Sequence, residues 1–377
     1  METKKYRFDE VTINFDKKRI PLSSAQREKR QGTFRYYGAQ GVIDHVDDYI
    51  FDGTYLLIAE DGENLKSKKQ NIAQVVDGQF WVNNHAHIVQ GNEQCDTRFL
   101  CYLINSMDLS GYVTGSAQPK LSQANLNAVT LSLPTLAEQK RIVEYLYMLD
   151  QKIDVNRQIN DNLYEMVNAY YTSLFKDVEC EMTTIGNYAE RIYSGGTPTT
   201  SNAAYWDGAF GWFSSGETRN RFVISTEKTI TQAGIDNSST KLAAKHDIVM
   251  ASAGQGFTRG QTSMLLIDTY VNQSVIVIHA ERKVLPYLFW NLANRYEELR
   301  AISDSSSIRG SLTTKMIAAF EIPLANEESL QAFADFSWSV IPKIENNLLE
   351  NERLAALRDN LLPKLMSGEI DVSNIQL

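Results

Sequence analysis

Residues 136–175 read LAEQKRIVEYLYMLDQKIDVNRQINDNLYEMVNAYYTSLF and contain neither glycine nor proline. Apolar residues recur at sevens in two series, Ile142, Leu149, Leu163, Tyr170 and Leu146, Ile153, Val167, Leu174. Asn156 and Asn160 fill the gap in each series. The spacing predicts a single helix of about 40 residues and ~60 Å, whose apolar seam must be buried against a partner.

The sequence supplies that partner 191 residues further along. Adding 191 maps Ile153, Asn156, Asn160 and Leu163 onto the identical residues Ile344, Asn347, Asn351 and Leu354. The same offset relates Leu121 to Leu312 upstream of the helices. A repeat of this length predicts two copies of one plan, a globular module followed by a long helix. We expect the two helices to pair as an antiparallel coiled coil with a pseudo-two-fold internal repeat.

Asparagine at the same two seam positions in both copies lowers stability but can fix register, since only the correct pairing lets the amides bond each other. The alternative is that these amides face solvent at the edge of the seam. Pro342 distinguishes the copies, and we expect it to kink or interrupt the second helix so that regular pairing begins near Lys343. Pro363 and Gly368 are expected to end that helix.

Both modules are predicted to be α+β, with short strands, turn signals and one helix around a bent, mostly antiparallel sheet. Strand-like runs in the first module include YLLIAED at 55–61 and FWVNNHAHIV at 80–89, followed by a helix at 97–107. The second has HDIVMAS at 246–252 and a helix at 285–300. The predicted segments are a first domain at 1–134, a central helix at 135–177, a linker at 178–183, a second domain at 184–325, a C-terminal helix at 326–370 and a tail at 371–377.

Four stretches resemble the specificity subunit of type I restriction-modification systems, in the right order and over nearly the whole chain. FRYYGAQGVIDHVDDYIFDGTYLLIAEDG (34–62) and YSGGTPTT (193–200) resemble entries to target-recognition domains. The segments 133–154 and 356–370 are similar to the family's central and C-terminal conserved helices. The resemblance implies that each domain reads one half of a split, asymmetric DNA site and that the helices set the spacer.

The resemblance also implies partners: double-stranded DNA, two methyltransferase subunits that use S-adenosylmethionine, and motor-nuclease subunits. The specificity subunit itself is expected to hold no cofactor and to catalyse nothing. The sequence agrees, because it has no GxxxxGK phosphate loop, no NPPY-like methyltransferase motif and no GxSxG elbow. His85 and His87 are expected to have packing or polar roles, since further metal ligands are not apparent.

The net charge of −9 over 377 residues argues against a protein that coats nucleic acid by bulk attraction, although one face can still be basic. Three cysteines without metal-ligand spacing and the lack of a membrane-length apolar run lead us to expect a cytoplasmic protein. Residues 17–35 are locally basic, which fits either a DNA-facing surface or an ordinary solvated one.

Base reading needs Arg, Lys, Asn or Gln side chains on loops, with hydroxyl and amide donors for phosphates. In the first module the candidates are Lys17, Lys18, Arg19, Arg27, Arg30, Arg35, Tyr36, Gln118 and Lys120; in the second they are Thr197, Arg219, Arg221, Gln255, Arg259 and Arg309. The loops 115–122 and 305–314 correspond under the 191 offset. Two other classes stay open, an enzyme and a helical protein-scaffolding module that does not read DNA.

Overall fold

The computed structural model describes residues 2–68, 70–115, 118–175, 181–254, 258–305 and 310–370. The chain divides into two compact units. The first unit comprises residues 1–152 and 353–377, and the second comprises residues 153–352. Each unit therefore contains one globular module and parts of both long helices.

The first module spans residues 2–134. Its strands are β1 (Lys4–Arg7), β2 (Thr12–Asn14), β3 (Gln31–Gly38), β4 (Gly41–Val46), β5 (Phe51–Asp52), β6 (Tyr55–Ala59), β7 (Ala73–Val76), β8 (Gln79–Val82), β9 (Ala86–Gly91) and β10 (Thr130–Leu133). Its helices are α1 (Phe8–Val11), α2 (Ser24–Glu28), α3 (Asn64–Ser67), α4 (Thr97–Ser106) and α5 (Gln123–Asn127). The strands form sheets of order β2-β9-β6-β7 and β4-β3-β8-β5 and the pair β1-β10.

The second module spans residues 181–325. Its strands are β11 (Met182–Thr184), β12 (Ala189–Ser194), β13 (Trp206–Phe213), β14 (Phe222–Val223), β15 (Lys228–Ile230), β16 (Lys241–Ala243), β17 (Ile248–Ala251), β18 (Thr262–Leu265), β19 (Thr269–Val271), β20 (Val275–Ala280) and β21 (Glu321–Pro323). Its helices are α7 (Ile185–Tyr188), α8 (Gln232–Asp236), α9 (Leu285–Asn294), α10 (Tyr296–Ser305) and α11 (Thr314–Ala318). The sheets are β12-β20-β17-β18-β14, β15-β13-β19-β16 and β11-β21.

The second module repeats the topology of the first, with β14 added at one sheet edge. In both, a mostly antiparallel sheet lies beside a second sheet that contains one parallel pair, β3 with β8 or β13 with β19. In both, the first and last strands of the module pair with each other. The predicted α+β fold class and internal repeat are confirmed.

The central strand of each module is apolar on both faces because it lies between two hydrophobic clusters. Leu56 and Ile58 of β6 face one cluster while Leu57 faces the other. In β17, Ile248 and Met250 face one cluster and Val249 the other. Alternate side chains of a strand point to opposite faces, so a continuous apolar run is required here.

The long helices are α6 (Leu136–Phe175) and α12 (Glu327–Ser367), of 40 and 41 residues. The expectation that Pro342 interrupts the second helix is wrong. The exposed proline costs one backbone donor, while its neighbours Val340 and Ile341 are buried in the core of the second unit and hold the helix in place. The expectation that Pro363 ends this helix is also wrong, because the helix continues to Ser367. The next residue, Gly368, adopts a φ of 75°, the left-handed conformation that ends many helices.

Both long helices contribute to the core of each unit. In the first, Ile142, Val143 and Leu146 of α6 and Leu365 of α12 join the core of the module. In the second, α6 contributes the aromatic residues Tyr164, Tyr171 and Phe175, and α12 contributes Phe333 and Ile344, among others. Within the described residues, no helix is long and apolar enough to cross a membrane.

Two predictions for elements within the modules also differ from the structure. The run 80–89 is two strands, because a turn at His85 separates β8 from β9. The His85 amide donates to the Asn83 side chain, and the His85 carbonyl accepts from the Glu60 amide. The predicted helix 285–300 is two helices, with a break at Arg295. Strand β11 overlaps the predicted linker 178–183, of which residues 178–180 lie outside the described residues, as does the predicted tail 371–377.

Candidate nucleic-acid interface and helix seam

The asparagines of the helix seam bond each other across the two helices. Asn156 Nδ2 donates to Asn351 Oδ1 at 2.9 Å, and Asn347 Nδ2 donates to Asn160 Oδ1 at 2.8 Å. Since 347 and 351 are the repeat positions of 156 and 160, each asparagine pairs with the repeat of the other. This reciprocal pattern is the signature of a two-fold axis between antiparallel helices.

The rest of the seam satisfies these amides and surrounds them with apolar contacts. Asn156 is 1% exposed and also donates to Glu350 Oε2 at 2.7 Å, while Asn160 Nδ2 donates to the Ile344 carbonyl at 3.3 Å. Ile153 and Ile344 are buried, and Leu163 and Leu354 are half-buried. A shift of one helix by a turn would break both amide pairs within a partly buried seam. The observed register is therefore the favoured one.

The basic segment of the first module is largely neutralised by carboxylates that are distant in sequence. Arg27 Nε donates to Asp44 at 2.8 Å, and Arg30 Nε donates to Asp47 at 2.9 Å. Arg35 donates to the Asp77 carbonyl at 2.6 Å. The charge of Arg27 and Arg30 is therefore only partly available to phosphates, whereas Arg35 is held through a backbone carbonyl.

Three neighbouring candidates differ in exposure. The Tyr36 ring is fully buried, and its hydroxyl accepts a hydrogen bond from the Leu22 amide at 2.9 Å, so it belongs to the core rather than to a surface that DNA reaches. Lys17 and Lys18 are exposed, with Lys18 Nζ 5.3 Å from the Phe15 ring centre. Together with the exposed Lys29, these two lysines are the accessible cations of the basic segment 17–35.

A buried charged network lies beneath the loop that contains Gln118 and Lys120. Arg19 Nη1 donates to Glu60 Oε2 at 2.8 Å and to the Ala86 carbonyl at 2.9 Å. Lys120 Nζ lies 3.2 Å from Glu60 Oε1, although the lysine side chain is half-exposed. Gln118 is exposed. Arg19 is therefore a structural cation, while Gln118 and Lys120 stay available on the surface.

His87 joins this network from strand β9. Its Nδ1 lies 2.6 Å from Asp16 Oδ2 and its Nε2 lies 2.8 Å from the Leu121 carbonyl. The other Asp16 oxygen accepts the Ile88 amide at 2.8 Å. Sequence reasoning assigned His87 only a general polar role, because its partners lie 71 and 34 positions away and no local pattern indicates them.

The pKa shifts of these groups agree with a charged network. Burial alone lowers the pKa of His87, but Asp16, the Leu121 carbonyl and Glu60 together outweigh burial, and the pKa is raised. Burial raises the pKa of Asp16, but His87, the Ile88 amide and Arg19 outweigh it, and the pKa is lowered. Burial also raises the pKa of Glu60, but Arg19, His87 and Lys120 outweigh burial, and this pKa is lowered. The network is thus one of mutually stabilised ions.

Candidates in the second module are also anchored. Thr197 Oγ1 donates to Gln273, and Arg219 is exposed but pairs with Glu227. Arg221 lies over the Tyr164 ring at 4.3 Å, so it connects the module to α6. Arg259 donates to Asp304 Oδ1 at 2.5 Å and also to the Gly310 carbonyl, so it is held against the end of α10.

Gln255 and Arg309 lie outside the described residues. Of the remaining candidates, Lys17, Lys18, Gln118, Lys120, Arg219 and Arg221 are exposed and the others are half-buried or buried. In the part of the chain that the structure describes, no group of three or more His, Cys, Asp or Glu side chains is placed to hold a metal ion.

Known proteins are similar to this chain in sequence. S.HindORF215P of Haemophilus influenzae, named as a type I restriction enzyme specificity subunit, is 36% identical over 37% of this chain and 35% of its own length. The HindI specificity subunit of the same species is 21% identical over 85% of this chain and 84% of its own. The match thus spans about a third of the first relative and most of the second.

A solved structure has the same fold. The type I restriction-modification S subunit from M. genitalium aligns with a TM-score of 0.60 and 15% identity, covering 97% of this chain and 96% of that one. The family model for the type I restriction modification DNA specificity domain matches residues 2–165 and again residues 178–356. The chain therefore belongs to the family of type I restriction-modification DNA specificity domains, and it contains that domain twice.

Proposed function

We propose that each module reads one half of a split, asymmetric DNA site and that the long helices set the distance between the halves. The observation that carries this proposal is the repeat: one topology occurs twice, with different side chains on its loops. Lys120 and Gln118 occupy the 115–122 loop, whereas the corresponding second-module loop has another sequence. Two different readers on one frame suit a site whose halves differ.

The charge distribution supports a subunit that binds DNA weakly by itself. The net charge is −9, and Arg19, Arg27 and Arg30 are paired with carboxylates. Phosphate binding supplies most non-specific affinity and needs several unpaired cations. We infer that stable recognition requires partner subunits, which we propose are two methyltransferase subunits that contain S-adenosylmethionine, joined by motor-nuclease subunits. Catalysis would then belong to those partners.

A stripe on α6 supports the docking of a methyltransferase subunit. Val155, Ile159 and Met166 are 48%, 41% and 44% exposed. At about 100° per residue they lie within ~40° of one line along the helix. The positions 191 residues later are Asn346, Glu350 and Leu357, so two docked partners would meet different surfaces. Exposed apolar stripes of this kind are typical of interaction sites.

The proposal is tested by co-expressing the chain with its methyltransferase subunit and sequencing the methylated DNA. A split motif with two unlike halves is expected. An electrophoretic shift with and without the methyltransferase subunit distinguishes DNA reading from protein scaffolding, because a pure scaffold would add no sequence preference. Methyl transfer by the purified chain alone would contradict the proposed division of labour.

The role of the helices as a spacer is tested by lengthening both together. The positions after Asn160 and after Asn346 lie opposite each other, because Asn160 pairs with Asn347. Four residues added at both places lengthen the pair by ~6 Å and turn it ~40° beyond a full turn. DNA advances ~3.4 Å and about 35° per base pair, so the spacer should grow by one or two base pairs. An unchanged spacer would show that the helices do not set it.

A further inference from the structure

His87 has an acceptor at each ring nitrogen. Nδ1 lies 2.6 Å from an Asp16 carboxylate oxygen and Nε2 lies 2.8 Å from the Leu121 carbonyl oxygen. A backbone carbonyl only accepts, and the Asp16 carboxylate already accepts the Ile88 amide. A neutral imidazole has one donor and would leave a lone pair facing one of these oxygens. The geometry therefore favours the imidazolium, which donates at both nitrogens.

The charges packed around the ring favour the same state. Asp16 and Glu60 are the anions, with the Glu60 carboxylate 4.0 Å from Nδ1. Arg19 and Lys120 are the cations, and both pair with Glu60. The adjacent pair of His85 with Asp61, at 2.8 Å, is turned to a more exposed surface. Two carboxylates thus face two cations and His87, and burial of a compensated imidazolium is allowed.

His87 holds the inner end of a surface loop. Leu121 is fully buried, its carbonyl accepts from His87, and its amide donates to the Glu60 carbonyl at 2.8 Å. The adjoining Lys120 exchanges two backbone hydrogen bonds of 2.8 Å with Thr114. The next residue, Ser122, caps α5 by accepting from the Asn125 amide. The position of Gln118 and Lys120 therefore depends on where Leu121 is held.

The second module lacks this device at the corresponding place. Pairing of β6 with β9 and of β17 with β20 aligns His87 with Ile276 and Glu60 with Ser252. Leu312 still donates its amide to the Ser252 carbonyl at 2.9 Å, as Leu121 does to Glu60. Ile276 is fully buried and has no side-chain donor to offer. The position that contacts the loop is thus occupied by the charged network of His87 in the first module and by the apolar Ile276 in the second.

We propose that His87 is a positioning residue that holds residues 118–121 for DNA reading only as an imidazolium, so that the first module reads its half-site in a protonation-dependent way and the second does not. This deepens the proposed function and rests on it for the DNA-reading part. The raised pKa of His87 means that the contact is complete below about pH 6.5 and is lost as pH rises through the folded-state pKa.

The first test needs no DNA. Amide hydrogen exchange of the full chain is measured at Leu121 and Leu312 between about pH 6 and pH 9, with correction for intrinsic exchange rates. We expect the protection of Leu121 to fall by about tenfold relative to Leu312, the equivalent of one buried hydrogen bond. Equal protection at both leucines across this range would overturn the proposal.

Variants separate a protonation switch from simple structural support. His87→Gln should remove the pH dependence and leave Leu121 at its high-pH protection. Asp16→Asn removes the anion beside the ring and should shift the midpoint to lower pH, which a purely structural contact would not do. His279→Gln is the matched control, since the described hydrogen bonds and ion pairs of His279 are to Asp247 and Glu190 in the second module.

The second test uses the complex with its methyltransferase subunit and a duplex carrying the motif found by methylation sequencing. Preference for the first half-site over a scrambled half should fall about tenfold with the protection of Leu121, while preference for the second half stays constant. If the protection of Leu121 changes with pH but the complex has no sequence preference, the proposed DNA reading is wrong, while the pH-dependent contact of His87 with Leu121 is confirmed. If preference exists but neither half changes with pH, the His87 proposal fails alone.

Discussion

The two ends of the helix pair use different side chains at equivalent positions. In the first unit, Arg358 Nη1 donates to Asp150 Oδ1 at 2.6 Å, and the Tyr102 hydroxyl donates to the same carboxylate at 2.5 Å. In the second unit, the repeat positions of Asp150 and Arg358 are Ile341 and Val167, both buried in the apolar core. An ion pair and an apolar pair thus occupy the same place in one frame.

Buried core positions also carry different side chains in the two units. Ile142 and Leu146 of the first unit correspond to Phe333 and Ser337 of the second, and all four are fully buried. A larger residue at one position accompanies a smaller one at the other. The repeat therefore conserves topology, while individual core contacts differ. The shared topology fixes the order of strands and helices, whereas the side chains that differ can have different roles in the two units.

The largest effect is expected at Phe333, which contacts Tyr170, Tyr171, Phe175 and Trp290. Phe333→Ala should lower the free energy of unfolding by about 3–5 kcal/mol, because a large cavity opens in the second core. Denaturant unfolding measures this, with Ile142→Ala as the matched change in the first unit. A loss below about 1 kcal/mol would show that this site relaxes and does not carry the second core.

The asparagine seam should show the next largest effect. Asn156→Ala removes the donor to Asn351 inside a buried position and should cost about 1–3 kcal/mol. Asn160→Ala, at the half-buried pair, should cost less. The double change Asn156→Leu and Asn351→Leu should recover stability in denaturant unfolding while weakening the preference for one register. If both single changes leave stability untouched, the amides do not stabilise the pairing.

The ion pair can be tested by copying the second unit into the first. Arg358→Val alone leaves Asp150 with Tyr102 and should cost about 1–2 kcal/mol. Combining Arg358→Val, Asp150→Ile and Tyr102→Phe should return the free energy of unfolding to within about 1 kcal/mol of the native value, since apolar replacement of a whole, partly buried network leaves no charge unpaired. A triple variant less stable than the single one would show that the two ends are not interchangeable.

The smallest effect is expected at Ser337. Its hydroxyl is buried and has no hydrogen-bond partner among the described residues. Ser337→Ala should therefore raise the free energy of unfolding, by up to about 1 kcal/mol. Thermal unfolding resolves such a change, with Ser339→Ala as an exposed control on the same helix. Marked destabilisation by Ser337→Ala would indicate a role for the hydroxyl that the contacts do not show.

The sequence predicted the long helices, the repeat and the modules because these depend on periodic apolar residues. The 191 offset holds from α5 and α11 onward, where it relates Gln123–Asn127 to Thr314–Ala318. It does not hold earlier, where β3 and β13 are 175 residues apart, because loop lengths differ between the modules. Periodic apolar residues therefore reveal the long helices and the repeat, but they do not reveal differences in loop length between the modules.

The candidate site was less predictable, since charge availability depends on partners distant in sequence. Arg19 is paired with Glu60, 41 residues away, and Arg27 with Asp44, so two arginines in a basic segment are structural. The burial of Tyr36 follows from the sheet, and nothing in its local sequence indicates it. His87 matters through Leu121, a contact between a strand and a loop that only the fold creates.

The central claim is that each module reads its own half-site, and a module exchange tests it most directly. The first core includes Ile142, Leu146 and Leu365, so the exchange replaces residues 2–134 with a relative's module and retains the native helices with matching contacts. Methylation sequencing of cells containing this chain and its methyltransferase subunit should show one changed half-site, with the other half and the spacer unchanged. A motif altered in both halves, or in neither, would contradict the account.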